Sequence, residues 1–558
     1  MLRNILSLVK NTKFLYILLL CVNLCVIIYH ISNKKAFHTD EQWSYAHANS
    51  HKGAFLDKEM DSYFKVNESI KNRMFNKWLD SSFFYNYITV QKNETFTYYN
   101  IYKNLSQGVH PPLYYILLHT ISSFYPNTFN KWQAGALNLT IFILIYIMLF
   151  KLSKLLLKDE RLALCVIALW GFSKIGIDTV IFIRMYILQT LWAICLVYQS
   201  LKILENNIAT KKDLFLVFLY SFLGIFTQYN SIFFSFLVSV VTCLILLKRK
   251  QYKLMFYYGV AMLFSVCILF IAFPHTYNVL LNSQRGTELL SKIEYNSYLI
   301  SFLSLFNDKN KILFKIIFNH LLAFNFDNNK LSSIIAFIVI MSVFSIFYFK
   351  IKFKTTTMYL ISIILLYAFY LIYMPDMFDY TNRYYMIIIP YIAILIISSI
   401  NYILNSIRLK SNYIFITLAM LIFINSFFYN YKEKSAYAFT LTKEEIQIIK
   451  KLKNKKVFLN AKYTISKNDI LIQNPIMIGW IHSLSYILKD ANNVFISDGI
   501  CKDYMKDIIT ENSEAVILTP LTWSEQSIED ENLECLKELK YRKYKLCATE
   551  FCNYVWKK

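Results

Sequence analysis

Long apolar runs, separated by short stretches rich in lysine and arginine, set the pattern of the chain. The first run, Phe14 to Ile31, leads straight into His38-Thr39-Asp40-Glu41. Runs of about 18 or more apolar residues recur, and each is long enough for a hydrocarbon core of roughly 30 Å. Further spans are predicted near 131–150, 162–177, 179–199, 213–228, 229–247, 254–273, 331–349, 356–374, 384–400 and 412–429. With the first run they make about eleven crossings. Two shorter apolar segments, 112–125 and 311–325, fit interfacial helices. The fold class expected is mostly α, a polytopic membrane protein of about 11 transmembrane helices plus interfacial helices.

The basic residues orient this pattern. Met1 to Lys13 carries Arg3, Lys10 and Lys13 and no acid, so the N-terminus is expected in the cytoplasm. No small-x-small cleavage pattern follows the first run, which is read as an uncleaved span. Lys151, Lys154, Lys158 and Arg161 mark one inner loop. Lys202, Lys211 and Lys212, then Lys248 to Lys253, then Lys350 to Lys354, then Arg408 and Lys410 mark the others. This places Asp40 and Glu41 outside, in a first outer loop over 32–111, with a second long one over 274–330. The transmembrane domain is expected over 1–430. Residues 431–558 are polar and alternate helical patterns with the β-type runs Val457-Phe458-Leu459, Asn493 to Ile496 and Ala515 to Leu518. They read as a small extracytoplasmic α/β domain.

Composition agrees with a bilayer setting. The 558 residues are 56% hydrophobic with 10 Gly and 8 Pro, above the roughly 45–50% apolar share of soluble domains. The formal charge of +23 comes from lysines spread over short loops. No basic stripe interleaved with stacking aromatics is present, so no nucleic-acid partner is expected. Cys21, Cys25, Cys165, Cys195, Cys243 and Cys267 lie in apolar runs and read as small core hydrophobes. Cys501, Cys535, Cys547 and Cys552 lie in the polar C-terminal part, where four thiols allow three pairings in an oxidising compartment.

The lysine-based orientation makes an independent prediction about the unusual polar residues. Asp40, Glu41 and His110 fall outside, and Arg184 falls about five residues inside the outer end of its span. Gln228, Tyr229 and Asn230 fall at one outer turn, and Asp376, Asp379, Arg383 and Tyr384 at another. All lie near one membrane face. Each has a plain alternative: solvated acids for Asp40 and Glu41, a snorkelling Arg184, an Arg383–Asp379 pair one turn apart, and a helix cap for His110. The chemical reading is a general base with a neighbouring acid, and guanidinium groups that bind phosphate bidentately. Pro111 and Pro112 predict a helix start running to about Phe124, with Pro126 ending it.

The strings Thr39-Asp40-Glu41, His110-Pro111-Pro112-Leu113-Tyr114-Tyr115, Arg184-Met185-Tyr186 and Arg383-Tyr384 with Pro390 resemble those of bacterial protein mannosyltransferase-like enzymes of the GT-C glycosyltransferase class. Matching elements extend from about residue 15 to 430. In that family Gln-Glu-Ala commonly precedes Arg-Met-Tyr, where this chain has Ile181-Phe182-Ile183. Relatives often have Thr-His-Tyr where it has Thr227-Gln228-Tyr229. The resemblance implies an inverting enzyme of a bacterial plasma (inner) membrane. Its partners would be a polyprenyl-phosphate sugar donor and a glycan, lipid or protein acceptor. It implies catalytic roles for Asp40 and Glu41, donor-phosphate binding by Arg184, Arg383 and His110, and a substrate pocket with Tyr114, Tyr186, Gln228, Tyr229 and Tyr384. A divalent metal, if one is used, would sit on Asp40 or Glu41. A secondary transporter, or a non-catalytic scaffold or export subunit of a glycan pathway, is the alternative. Transporters favour midplane charges and internal repeats, whereas these charges cluster at one face and no repeat is seen.

Overall fold

The computed structural model describes residues 11–51, 75–106, 110–282, 312–313, 315–322, 355–372, 381–406, 413–420, 422–423, 437–460, 464–465, 471–472, 481, 483–497, 503–520, 536–546 and 553–558. The chain divides into two compact units. One comprises Met1–His30, Asn138–Ile181 and Met185–Ser435, and the other Ile31–Leu137, Phe182–Arg184 and Ala436–Lys558.

The first unit is helical. Among the described residues of the chain, five helices are long and apolar enough to cross a membrane: Thr12–Asn33, Lys131–Leu157, Tyr186–Asn206, Asn230–Lys248 and Tyr252–Ala272. A sixth candidate is the pair Glu160–Phe172 and Lys174–Ile181, bent by 62°. These helices make the chain an integral membrane protein. Helices Lys211–Thr227, Thr355–Ile372 and Ile389–Ser406 cover three more predicted segments. The predicted span 331–349 lies outside the described residues, as do most of the 274–330 loop and Asp376 and Asp379.

Local chemistry explains the helix ends. Asp159 accepts hydrogen bonds from the amides of Arg161 and Leu162, capping Glu160–Phe172. Thr210 and Asp213 form a capping box on Lys211–Thr227. Asn207 closes Tyr186–Asn206 in the left-handed conformation. Buried hydroxyls pair between helices: Ser200 with Tyr258 at 2.7 Å, Ser221 with Ser265 at 2.8 Å, and Thr242 with Tyr359 at 3.0 Å. In an apolar medium such bonds join helices that hydrophobicity alone does not hold together. Phe256, Leu263 and Ile271 lie exposed on Tyr252–Ala272, as a lipid-facing side requires. Cys165 and Cys195 are buried, but Cys21, Cys25 and Cys267 lie on exposed faces. An all-apolar run does not say which side faces protein, and this is why those three were misread as core. Cys501, Cys535, Cys547 and Cys552 lie outside the described residues.

The second unit is built on a six-stranded sheet in the order β1-β5-β2-β6-β8-β7. β1 is Trp78–Asp80, β2 Val457–Asn460, β5 Asn493–Ser497, β6 Val516–Pro520, β7 Arg542–Leu546 and β8 Asn553–Lys557. A separate two-stranded pair joins β3 (Thr464–Ile465) to β4 (Leu471–Ile472). The three β-type runs of the sequence are the parallel central strands β2, β5 and β6. The remaining strands pair antiparallel at the two sides. The sheet is not made of C-terminal residues alone, because β1 comes from the stretch before residue 111. Trp78 brings its ring to 5.1 Å from Phe458 and 5.4 Å from Phe495. It packs on a core of Phe458, Phe495, Met505, Ile509, Ile517 and Trp556. The same unit holds helices Thr39–Asn49 and Leu113–Ser123.

Candidate active site

The site grows from one helix start. His38 precedes Thr39–Asn49, and its Nδ1 accepts the Asp40 amide at 3.0 Å. The Glu41 carboxylate reaches back to the His38 amide at 2.9 Å. This is a capping box with histidine in the place usually held by Ser or Thr. It aims Asp40 and Glu41 differently. The Asp40 side chain keeps 12% of its surface exposed, while Glu41 keeps none.

Glu41 is fully engaged. One oxygen accepts from the His38 amide and the Lys34 ammonium, the latter at 2.8 Å, and the other accepts from the Ile183 amide at 3.0 Å. Lys34 also donates to the Tyr437 carbonyl at 2.5 Å, with its charge 5.2 Å from the Phe439 ring and 5.5 Å from Phe37. A buried ion pair is tolerated where hydrogen bonds and aromatic faces replace the lost water.

Arg184 does not lie inside a helical span, as the run lengths predicted. Lys174–Ile181 stops, Phe182 to Met185 are non-helical, and the next helix begins at Tyr186. The Arg184 amide bonds the Phe182 carbonyl at 2.8 Å in a tight turn. The Phe182 ring stacks on Tyr437 at 3.9 Å. From this break the buried guanidinium reaches the Asp40 carbonyl at 3.2 Å, and Ser44 Oγ and the Tyr115 hydroxyl at 3.4 Å. Its other nitrogen stands 3.0 Å from His110 Nε2 and 3.7 Å from Asp40 Oδ1. A guanidinium has no acceptor, so His110 Nε2 must be the unprotonated nitrogen. His110 therefore orients Arg184 and does not cap its helix. Leu113–Ser123 begins after Pro112 without a side-chain cap.

His47 completes the cluster, with its ring 5.2 Å from Tyr115 and 6.4 Å from His110. Burial, then the Arg184 charge, holds its pKa well below 6.5, against a smaller upward pull from Asp40. Burial likewise pushes the Tyr115 hydroxyl up to about 12, eased by Arg184. Tyr114 is wholly buried, and Tyr115 is the member of the pair that touches Arg184. Lys34, Ser44, His47 and Tyr115 were missed from the sequence. The spacing His38, Asp40, Glu41, Ser44, His47 on one short helix was the available signal for two of them.

The remaining predicted residues belong to the other unit. Arg383 lies in a single 3-10 turn, Thr381–Tyr385, with its guanidinium 5.3 Å from the Tyr384 ring. Tyr384 meets Tyr186 edge-on at 6.1 Å. Gln228 closes Lys211–Thr227 and accepts from the Tyr229 amide at 3.0 Å. The Tyr229 hydroxyl lies 3.2 Å from Thr276. Among the described residues no group of three or more His, Cys, Asp or Glu is placed to hold a metal. The Glu41 oxygens already face an ammonium and two amides, which does not fit a metal ligand.

No protein-family model matches the chain, and no curated protein matches its sequence. Among solved structures it is similar to ArnT from Cupriavidus metallidurans bound to undecaprenyl phosphate. That likeness has 11% identity, 97% coverage of both chains and a TM-score of 0.48. The apo state of the same protein is similar at 10% identity and a TM-score of 0.44, over 80% of this chain and 87% of that one.

Proposed function

We propose that the chain is an inverting glycosyltransferase that moves a sugar from a polyprenyl-phosphate donor to an acceptor on the extracytoplasmic side of the membrane. The observation that carries this reading is the pairing of partly exposed Asp40 with buried Arg184, which half-buried His110 also contacts. The Arg184 charge favours the carboxylate over the acid, so Asp40 enters the reaction able to take a proton. The acceptor hydroxyl gives its proton to Asp40 as its oxygen bonds the anomeric carbon. The bond from that carbon to the phosphate oxygen breaks, and the electron pair leaves with the lipid phosphate. A fixed guanidinium is suited to the charge that develops there. His110, Ser44 and Tyr115 hold it in place before the reaction begins.

Membrane residence of the enzyme matches a donor whose lipid never leaves the bilayer. The phosphate contact implied for Arg383 is a separate proposal. The Glu41 geometry speaks against a proton-transfer role for that residue and for a positioning one.

The test is transfer from radiolabelled polyprenyl-phosphate sugars in membranes containing the protein, read as release of free polyprenyl phosphate. Wild type should release it and Asp40→Asn should not. A scaffold or export subunit would leave release unchanged in Asp40→Asn and Arg184→Ala. A transporter would show uptake of the donor with no release.

A further inference from the structure

Three consecutive residues of the helix break are each held from a different direction. Phe182 stacks on Tyr437 at 3.9 Å, and its ring lies 5.7 Å from His38. The Ile183 amide donates to Glu41 at 3.0 Å. Arg184 donates to the Asp40 carbonyl at 3.2 Å. Adjacent acidic residues thus grip adjacent residues of the break. The residues Ile181 to Met185 include no Gly or Pro to interrupt a helix. The interruption must be maintained by contacts from outside the segment.

We infer that Glu41 is a positioning residue: with Lys34 as its counter-charge it hooks the Ile183 amide and so fixes Arg184 against Asp40. This rests on the proposed transferase reading for its kinetic consequences, while the hook itself does not. Glu41 has no exposed oxygen with which to meet an acceptor hydroxyl. Its oxygens are shared among the Ile183 amide, the His38 amide and Lys34. Lys34 in turn is bound to the Tyr437 carbonyl and roofed by Phe439. The helix start, the break and the segment at Tyr437 are therefore tied through one carboxylate. A base at this position would need to shed that ion pair in every turnover.

The experiment uses the full chain in lipid nanodiscs, with two readouts. One is hydrogen–deuterium exchange of the peptide spanning 182–185. The other is release of polyprenyl phosphate from polyprenyl-phosphate mannose and glucose, with its pH profile. Glu41→Ala should raise exchange at Ile183 by at least about tenfold, because the amide loses its acceptor. Glu41→Gln should raise it less, since its side-chain oxygen can still accept. Glu41→Gln alone strands Lys34 as a buried charge, and its melting midpoint should fall by roughly 5–15 °C. Lys34→Met/Glu41→Gln removes both charges, and should recover most of that loss with release within about 30-fold of wild type. The pH profile of release should keep its overall shape, because Glu41 takes no proton in the proposed reaction.

Unchanged Ile183 exchange in Glu41→Ala would overturn the hook. A double variant that melts like wild type yet releases no lipid phosphate would overturn the positioning role and return Glu41 to the reaction. Should wild type release nothing from either donor, the transferase reading loses its support for these sugars, and the exchange measurement still decides the hook.

Discussion

Two arginines, each close to a tyrosine in sequence, sit outside the α-helices, Arg184 in a helix break and Arg383 in a 3-10 turn, and their surroundings differ in kind. Arg184 is 3% exposed and its guanidinium faces a carboxylate, an imidazole and two hydroxyls. Arg383 is half-buried and lies over the ring of its own neighbour, Tyr384, which leans on Tyr186. The first charge is compensated by fixed polar groups whose bonds dictate where it points. The second has an aromatic face beside it, which attracts a cation without dictating a direction. Tyr384 in turn joins a group of rings: the Tyr367 hydroxyl donates to its carbonyl at 3.5 Å, Tyr367 meets Tyr370 at 5.7 Å, and Tyr370 stacks on Phe233 at 3.9 Å. A polar network preorganises chemistry, whereas an aromatic cluster supplies shape and apolar contact. The difference is the reason the proposed reacting groups are placed in the Asp40 cluster.

The largest effect should follow loss of the base. Asp40→Asn keeps the helix start and removes the proton acceptor, so release of polyprenyl phosphate should fall by about 10²–10⁴-fold. Initial rates at saturating donor measure it, and a loss under tenfold would move the chemistry away from this cluster. Next comes Arg184→Lys, which keeps the charge and loses the planar fork that serves Asp40, His110 and Tyr115 together. A drop of about 10²–10³-fold, mostly in kcat, is expected. An equal loss carried wholly by KM would make Arg184 a binding group like the one envisaged for Arg383.

The place of Asp40 just past the first long helix and the helix start after Pro111-Pro112 were legible because their signals are local. An acid just past an apolar run and paired prolines have meaning within a few residues of themselves. The strands β2, β5 and β6 were legible for the same reason, as short β-branched and aromatic runs between turns. The break at Phe182–Met185 was not legible. Its residues read as part of the next span, and the contacts that hold it are to His38, Asp40, Glu41, Ser44 and Tyr437, distant in sequence. The different surroundings of Glu41 and Asp40 were hidden on the same account, because the two are adjacent in sequence and their partners are not. The capping box turns one carboxylate inward to the His38 and Ile183 amides and leaves the other partly exposed. The addition of β1 to the C-terminal strands is likewise a long-range pairing that no local period announces.

A smaller effect tests how closed the Asp40 cluster is. The folded-state pKa of His47 lies well below its ordinary value of 6.5. The unfolded chain therefore binds a proton below about pH 6.5 that the folded chain refuses, and stability falls as pH drops through that value. The slope from this one group is at most about 1.4 kcal/mol per pH unit. His119, buried and also shifted down, adds a slope of its own, and both remain neutral above pH 7. Thermal melts from pH 7.5 to 5.5 should show the wild-type midpoint sliding downward and His47→Gln sliding less. Identical slopes would mean that water reaches His47, and the contrast between a sealed polar network and the aromatic cluster would weaken.

The smallest effect belongs to Arg383. Arg383→Met keeps the stem and removes a charge 5.3 Å from the Tyr384 ring. At a half-buried site that contact is worth about 0.5–1 kcal/mol, so the melting midpoint should move by only a few degrees. Arg184→Met should cost far more, because it removes the counter-charge beside Asp40 and the donor to His110 Nε2. If Arg383 also contacts donor phosphate, Arg383→Met raises the KM for polyprenyl-phosphate sugar while kcat holds. A double-mutant cycle with Tyr384→Leu separates the two contributions: the stability terms should couple through the lost ring contact. The KM terms should not, since a phosphate contact does not pass through the ring. Equal stability losses in Arg383→Met and Arg184→Met would erase the distinction between an arginine fixed by charge and one seated on a ring.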